Sequence, residues 1–207
     1  MTSPLRHVVL ATTNKGKLRD FRFLFDGSGV ELRLPEELGV RLDVEETGTT
    51  FEENALLKAR TFARELPGHA VLADDSGLEV HALGGRPGVY SARYAGEPCD
   101  DHANNLKVIA EVQGLADRRA AFVAVLALVL PSGEEIVVSG RCEGRIIDEE
   151  RGANGFGYDA IFFRDDLDCT FGEAAPAEKN ARSHRGAAVR AMMEELRRLG
   201  LLPGGAR

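Results

Sequence analysis

Polar and apolar positions in the N-terminal third repeat one arrangement: a short apolar run, a polar break, then a helical apolar face. Val8-Val9-Leu10-Ala11 is apolar throughout and ends in Thr12-Thr13-Asn14-Lys15-Gly16-Lys17, which predicts a buried strand entering a loop. Leu18, Phe21, Leu24 and Phe25 follow at helical spacing, and residues 30–34 read as a second strand. Thr50-Phe51-Glu52-Glu53 has the form of a capping box, and the helix after it puts Phe51, Ala55, Ala59, Phe62 and Leu66 on roughly one face. Ala70 to Ala73 reads as a short buried strand that ends at Asp74-Asp75-Ser76-Gly77. Strand, helix, strand, helix, strand in this order predicts an α/β core.

The middle of the chain changes character. Gly84 to Gly88 reads as a loop, and a polar helix is expected over 101–113. Two strand-like stretches, 119–130 and 134–146, flank Pro131-Ser132-Gly133 and predict one long antiparallel hairpin. Gly152 to Gly157 is a glycine-rich loop, and Ser183 is expected to cap a last helix bearing Val189, Met192, Leu196 and Leu199. The tail Pro203 to Arg207 is expected to fray, and the chain holds no internal repeat or low-complexity segment. The expectation is an elongated mixed α/β protein with loops gathered at strand ends, where ligands tend to sit.

Composition narrows the class. A length of 207 residues suits one domain or two closely packed lobes, and 43% hydrophobic with 29% charged residues excludes general disorder. The longest apolar run, Ala120 to Leu130, is too short to span a bilayer, and the N-terminal run is too short for a signal-peptide core. A soluble, cytoplasmic protein with no membrane partner is the expectation. The formal charge of −7 disfavours non-specific binding to nucleic acid, while a small polyanion stays compatible if a cation bridges it to the acids. Cys99, Cys142 and Cys169 stand singly, which argues against both a zinc site and a disulfide framework.

Three sets of residues could carry chemistry. Thr12 to Lys17, between a strand and a helix, offers backbone N–H groups, hydroxyls and two lysines to phosphate oxygens, although a polar turn capping a helix has the same appearance. Asp74-Asp75 and Glu45-Glu46 are acids of the kind that hold Mg²⁺ with waters and substrate phosphates, or else solvated loop acids. Phe156-Gly157-Tyr158-Asp159, Lys179 and Ser183-His184-Arg185-Gly186 combine aromatic faces for a base with groups that bond phosphate or a 6-oxo group. Core packing is the alternative for Phe156 and Tyr158, and an ordinary first helical turn for His184 and Arg185. The patterns of a Walker A loop, a nucleophile elbow, a zinc-protease helix and a dinucleotide fingerprint are all absent from the sequence.

Taken in order, these segments resemble the Ham1/RdgB-type inosine triphosphate pyrophosphatase family. Residues 8–17 are similar to its T/S-x-N-x-x-K start, and residues 45–55 with Lys58 and Ala59 continue the match. The run from Ala73 to Gly96 is the most specific stretch, and residues 155–159 and 178–186 complete it. Residues 170–178 depart from the family's A-E-L-x-x-E-E-K approach, while the lysine and the Ser183-His184-Arg185-Gly186 block survive.

The resemblance implies a two-lobed α/β fold with a long central sheet, a substrate cleft between the lobes, and a homodimer. It implies Mg²⁺-dependent cleavage of ITP, dITP and XTP to the monophosphate and pyrophosphate. Carried over, Thr12, Thr13, Asn14, Lys15, Gly16 and Lys17 would hold the triphosphate. Glu45 and Asp75 would bind Mg²⁺, with Glu46 an alternative ligand, and Asp75 would take the proton from water. Lys58 and Ser76 would support phosphate or metal-bound water, and Phe156, Gly157, Tyr158, Asp159, Lys179, His184 and Arg185 would line the base pocket. The rival readings are a Maf-type nucleotide pyrophosphatase and a non-catalytic nucleotide sensor. A sensor would be expected to have lost an acid at the metal site.

Overall fold

A computed structural model describes residues 4–202, so the tail expected to fray lies outside the described residues. The first strand, β1 (His7–Leu10), leads into α1 (Lys15–Phe25), and β2 (Glu31–Arg33) returns parallel to β1. Helix α2 (Phe51–Glu65) then leads to β3 (Val71–Val80), which lies parallel to β1 on its other side. After α3 (Asp101–Val112) come the hairpin strands β4 (Arg119–Val129) and β5 (Glu135–Ile146). Two short strands, β6 (Phe162–Arg164) and β7 (Cys169–Thr170), precede α4 (Pro176–Arg182) and α5 (His184–Arg198). The strands form one seven-stranded mixed sheet in the order β2-β1-β3-β4-β5-β6-β7. The fold class is therefore the mixed α/β arrangement with a long hairpin that the sequence predicts.

Local chemistry explains the helix ends. Asn14 caps α1 by accepting from the Lys17 N–H at 3.0 Å. At α2, Thr50 accepts from the Glu53 N–H at 3.1 Å while the Glu53 carboxylate accepts from the Thr50 N–H at 3.2 Å, completing the predicted capping box.

One expectation needs correction. The third strand does not stop at Ala73 but continues through Asp74 and Asp75 to Val80. The two acids look like the end of an apolar run, yet both are buried within it. A strand can carry buried carboxylates only where cations meet them, and the next subsection names those cations.

The chain divides into two compact units, and the division falls inside β3, β4 and β5. The first comprises the chain up to Asp75, Ala124–Gly140 and the part from Arg185 onward. Its core packs Val8, Leu10, Phe21, Phe25 and Leu72 with Leu126, Leu128, Val189, Met192 and Leu196. The second comprises Ser76–Val123 and Arg141–His184, with a core of Leu78, Val108, Val112, Phe122, Tyr158, Phe162 and Phe171. Within it the glycine-rich loop is fixed by contact of backbone with backbone. A Cβ on Gly152 would stand 2.1 Å from the Gly172 carbonyl, and one on Gly172 would stand 2.5 Å from the Arg151 oxygen.

Two outcomes are expected from this packing. Phe21 is fully buried, so Phe21→Ala should lower unfolding free energy by about 3–5 kcal/mol, read as a lower urea midpoint at unchanged slope. Gly152 combines φ +84° with a neighbouring backbone that cannot yield, so Gly152→Ala should lower the midpoint by more than Gly27→Ala, where the same φ strain meets open space.

Candidate active site

The first unit gathers its chemistry on β3. The Asp74 side chain is fully buried, and Lys17 Nζ of α1 lies 2.7 Å from its Oδ2. Arg185 Nε of α5 lies 3.7 Å from the same oxygen, and Arg185 Nη1 lies 3.4 Å from Oδ2 of Asp20. Burial alone would raise the Asp74 pKa, but Lys17, Arg185 and Lys58 outweigh it and hold the carboxyl well below the usual range. Burial is also the main influence on Lys17, and it lowers that ammonium despite the attraction of Asp74.

Asp75 has the opposite environment. Its Oδ1 accepts from Lys58 Nζ of α2 at 3.3 Å, while its Oδ2 is buried with no hydrogen-bond partner among the described residues. Burial raises the Asp75 pKa, Lys58 and Lys17 oppose that, and the carboxyl ends above its ordinary value. Lys58 also donates to Glu46 Oε1 at 2.6 Å and to the Asp74 carbonyl at 2.8 Å. Burial would lower this lysine, but Asp75 and Glu46 raise it further, so it stays charged. Glu45 is exposed. The chain that carries Glu46 is tied down at Gly48, whose N–H donates to Asn54 Oδ1 at 2.7 Å. A Cβ on Gly48 would stand 2.6 Å from that oxygen, which explains the glycine.

Ahead of this group lies the turn into α1. Thr12 Oγ1 accepts from the Asn14 N–H at 3.2 Å, which shapes the turn. Lys15 is exposed, and Gly16 and Lys17 are half-buried. The first-turn N–H groups of a helix lack intrahelical acceptors, so Lys15 and Gly16 present donors at the positive end of the helix dipole.

The second unit gathers the aromatic set. Asp159 Oδ2 accepts from Lys179 Nζ at 2.6 Å and from the Phe156 N–H at 2.9 Å, and both Asp159 and Lys179 are buried. The Lys179 ammonium lies 5.1 Å from the centre of the Phe156 ring. A Cβ on Gly155 would collide with the Asp159 carboxylate at 2.1 Å, so the loop requires glycine there. The His184 ring stacks on Phe122 with centres 4.7 Å apart and planes 15° apart.

The structure thus brings Lys17, Lys58 and Asp75 together in the first unit, and Phe156, Asp159 and Lys179 in the second. Thr13 is exposed at the start of the turn, and Ser76 is half-buried on β3. Tyr158 stands apart. Its hydroxyl donates to the Ser91 carbonyl at 2.7 Å, its ring belongs to the core, and burial raises its phenol pKa. Reading the sequence missed Asp20, and assigned no role to Asp74 beyond candidacy. The signal for Asp20 was an acid beside Phe21 on the apolar face of a helix.

A hard divalent cation fits these donors. Asp75 offers a buried oxygen with both lone pairs unclaimed, and such cations take one or two carboxylates plus substrate oxygens. No cluster of three or more metal-ligating side chains occurs among the described residues.

The Ham1 family model matches residues 8–195. A dITP/XTP pyrophosphatase of Bacillus anthracis is 47% identical over 196 residues, covering 93% of this chain and 96% of its own length. The solved structure of the Staphylococcus aureus Ham1 protein superposes with TM-score 0.84 at 44% identity, covering 93% of this chain and 99% of its own. A Ham1 protein from Coxiella burnetii gives TM-score 0.84 at 40% identity, over 94% of this chain and 100% of its own. The chain belongs to the Ham1 family.

Proposed function

We propose that the chain hydrolyses non-canonical purine nucleoside triphosphates, ITP, dITP and XTP, to the monophosphate and pyrophosphate. The observation that carries this reading is the Asp75 carboxylate, with one oxygen against Lys58 and the other buried and unclaimed. A carboxylate held above its ordinary pKa is a better proton acceptor, and Lys58 fixes which oxygen is left to do it. The name of the Bacillus anthracis relative supports the substrate class.

Phosphoanhydride cleavage needs positioning and charge neutralisation, with little covalent work by the protein. Thr12 to Lys17 would receive the phosphate chain, with the α1 dipole and Lys15 and Lys17 opposing its charge. Asp75 and the Glu45-Glu46 pair would hold Mg²⁺, which when bound supplies neutralisation of the charge developing on the phosphates. Asp75 Oδ2 would then take the proton from the attacking water. On the base side, Phe156 would offer its face, and the N–H donors of the Lys179 ammonium, the His184 imidazole and the Arg185 guanidinium would favour a 6-oxo group over the 6-amino group of adenine. An amino group there would leave buried donors unpaired. The same reading carries a homodimer and residence in the cytoplasm.

The test is pyrophosphate release from ITP, XTP, dATP and GTP, with and without Mg²⁺, by the wild type and by Asp75→Asn. Mg²⁺-dependent release from ITP and XTP is expected, with a loss of at least about 100-fold in the variant, the scale of a lost general base. Orthophosphate as the only product would overturn the bond assignment. Equal turnover of all four nucleotides would remove the base-selection argument. Tight ITP binding without turnover would make the protein a sensor.

A second outcome concerns Lys58. Lys58→Met should reduce turnover more than it weakens ITP binding, because it frees Asp75 Oδ1 and removes the cation between Asp75 and Glu46. Comparing kcat with the dissociation constant of ITP checks this.

A further inference from the structure

The peptide group of Gly157 is held from both ends. Its N–H donates to Asp101 Oδ2 at 2.6 Å, and its carbonyl accepts from Asn105 Nδ2 at 3.2 Å. Asp101 and Asn105 stand one turn apart on α3, so one face of that helix grips both groups. Asn105 Nδ2 also donates to Glu150 Oε1 at 2.6 Å, and the other Glu150 oxygen lies 2.6 Å from His102 Nδ1. Asn105 is 2% exposed and its Oδ1 has no hydrogen-bond partner among the described residues, so its hold on the loop runs through the amide NH₂.

Gly157 lies between Phe156 and the Tyr158-Asp159 pair and has φ +60°, a conformation other residues rarely adopt. Nothing within 4 Å would obstruct a Cβ there, so the conformation, not crowding, is what the grip maintains. On the far side, the loop is already fixed by Gly172, whose oxygen accepts from the Asn154 N–H at 2.8 Å and whose N–H donates to the Asp159 oxygen at 2.8 Å. Lys179 and the Phe156 N–H hold the Asp159 carboxylate from within the loop, and α3 holds the Gly157 peptide that joins Phe156 to Tyr158.

We infer that Asp101, Asn105 and Glu150 form a positioning clamp that sets the base-selecting loop through the Gly157 peptide, and so tunes discrimination among purines. This rests on the reading of Phe156 to Asp159 as the base-contacting segment. None of the three touches a nucleotide in this account; they act through the loop backbone.

The experiment measures kcat and KM for ITP and GTP with the full-length wild type and with Asp101→Leu, Asp101→Asn and Asn105→Asp. Asn105→Asp is nearly isosteric but replaces the donor facing Glu150 and the Gly157 carbonyl with an acceptor. Asp101→Asn keeps an acceptor for the Gly157 N–H. Asp101→Leu and Asn105→Asp should raise KM for ITP roughly five- to tenfold, the scale of one lost hydrogen bond, with kcat within about twofold. The ratio of kcat/KM for ITP over GTP should fall with them, and Asp101→Asn should return close to the wild type. A merely structural role would lower kcat equally for both nucleotides and leave KM and the ratio in place, and that result overturns the inference. If Asp101→Leu does not fold, the contrast between Asn105→Asp and Asp101→Asn decides it. A wild type that turns over neither nucleotide overturns the pyrophosphatase reading instead.

Discussion

Two adjacent carboxylates buried in the middle of a strand are the constraint from which the candidate site follows. Removing each from water costs several kcal/mol unless a partner compensates, so the surrounding helices must supply cations. They do so unequally. Asp74 receives Lys17 at 2.7 Å, with Arg185 behind it, and is driven toward permanent ionisation. Asp75 receives Lys58, at 3.3 Å and on one oxygen, and burial still moves its pKa up. Consecutive strand residues face opposite ways, which lets one backbone hold both environments. Environments that push two neighbouring acids apart suit them to different work, which supports the proposed roles of Asp74 as anchor and Asp75 as proton acceptor.

The cost of this arrangement appears at the helix ends. Acids favour the first turn of a helix, as Glu52 and Glu53 do in α2. Neither α1 nor α5 has an acid there. Instead α1 opens with Lys15 and Lys17, and α5 carries Arg185 in its first turn, positive charge at the positive end of each dipole. Asp74 and Asp20 offset that repulsion for Lys17 and Arg185. A helix start that repels its own side chains favours an anion, which supports the proposed seating of phosphate at the α1 turn.

Much of this was legible in the sequence, for reasons that can be stated residue by residue. The capping box at Thr50, the apolar faces of α1 and α2, and the hairpin about Pro131 to Gly133 are local patterns, and each forms where predicted. Asp74 and Asp75 misled because polarity within an apolar run reads as a boundary, and nothing local reveals that Lys17 and Arg185, far away in sequence, will neutralise one of them. Glu45 and Glu46 look alike in sequence, and only the fold shows that Lys58 reaches Glu46 while Glu45 is exposed. The grip of α3 on Gly157 was illegible for the same reason: Asp101 and Asn105 look like ordinary polar residues of a solvated helix, and their role exists only through a loop some fifty positions on.

The same electrostatics bears on how a polyanion can approach a chain of formal charge −7. Lys17 and Lys58 are already engaged by Asp74, Asp75 and Glu46, so phosphate oxygens reaching them must compete with carboxylates or share their cations. Sharing brings like charges within a few ångströms in a partly desolvated place, where repulsion is far less screened than in bulk water. On the proposed reading Asp75 would hold a divalent cation through its unclaimed oxygen, and the added positive charge would relieve that conflict. The charge layout thus supports the proposed cation dependence: without added positive charge, these acids would oppose a polyanionic substrate.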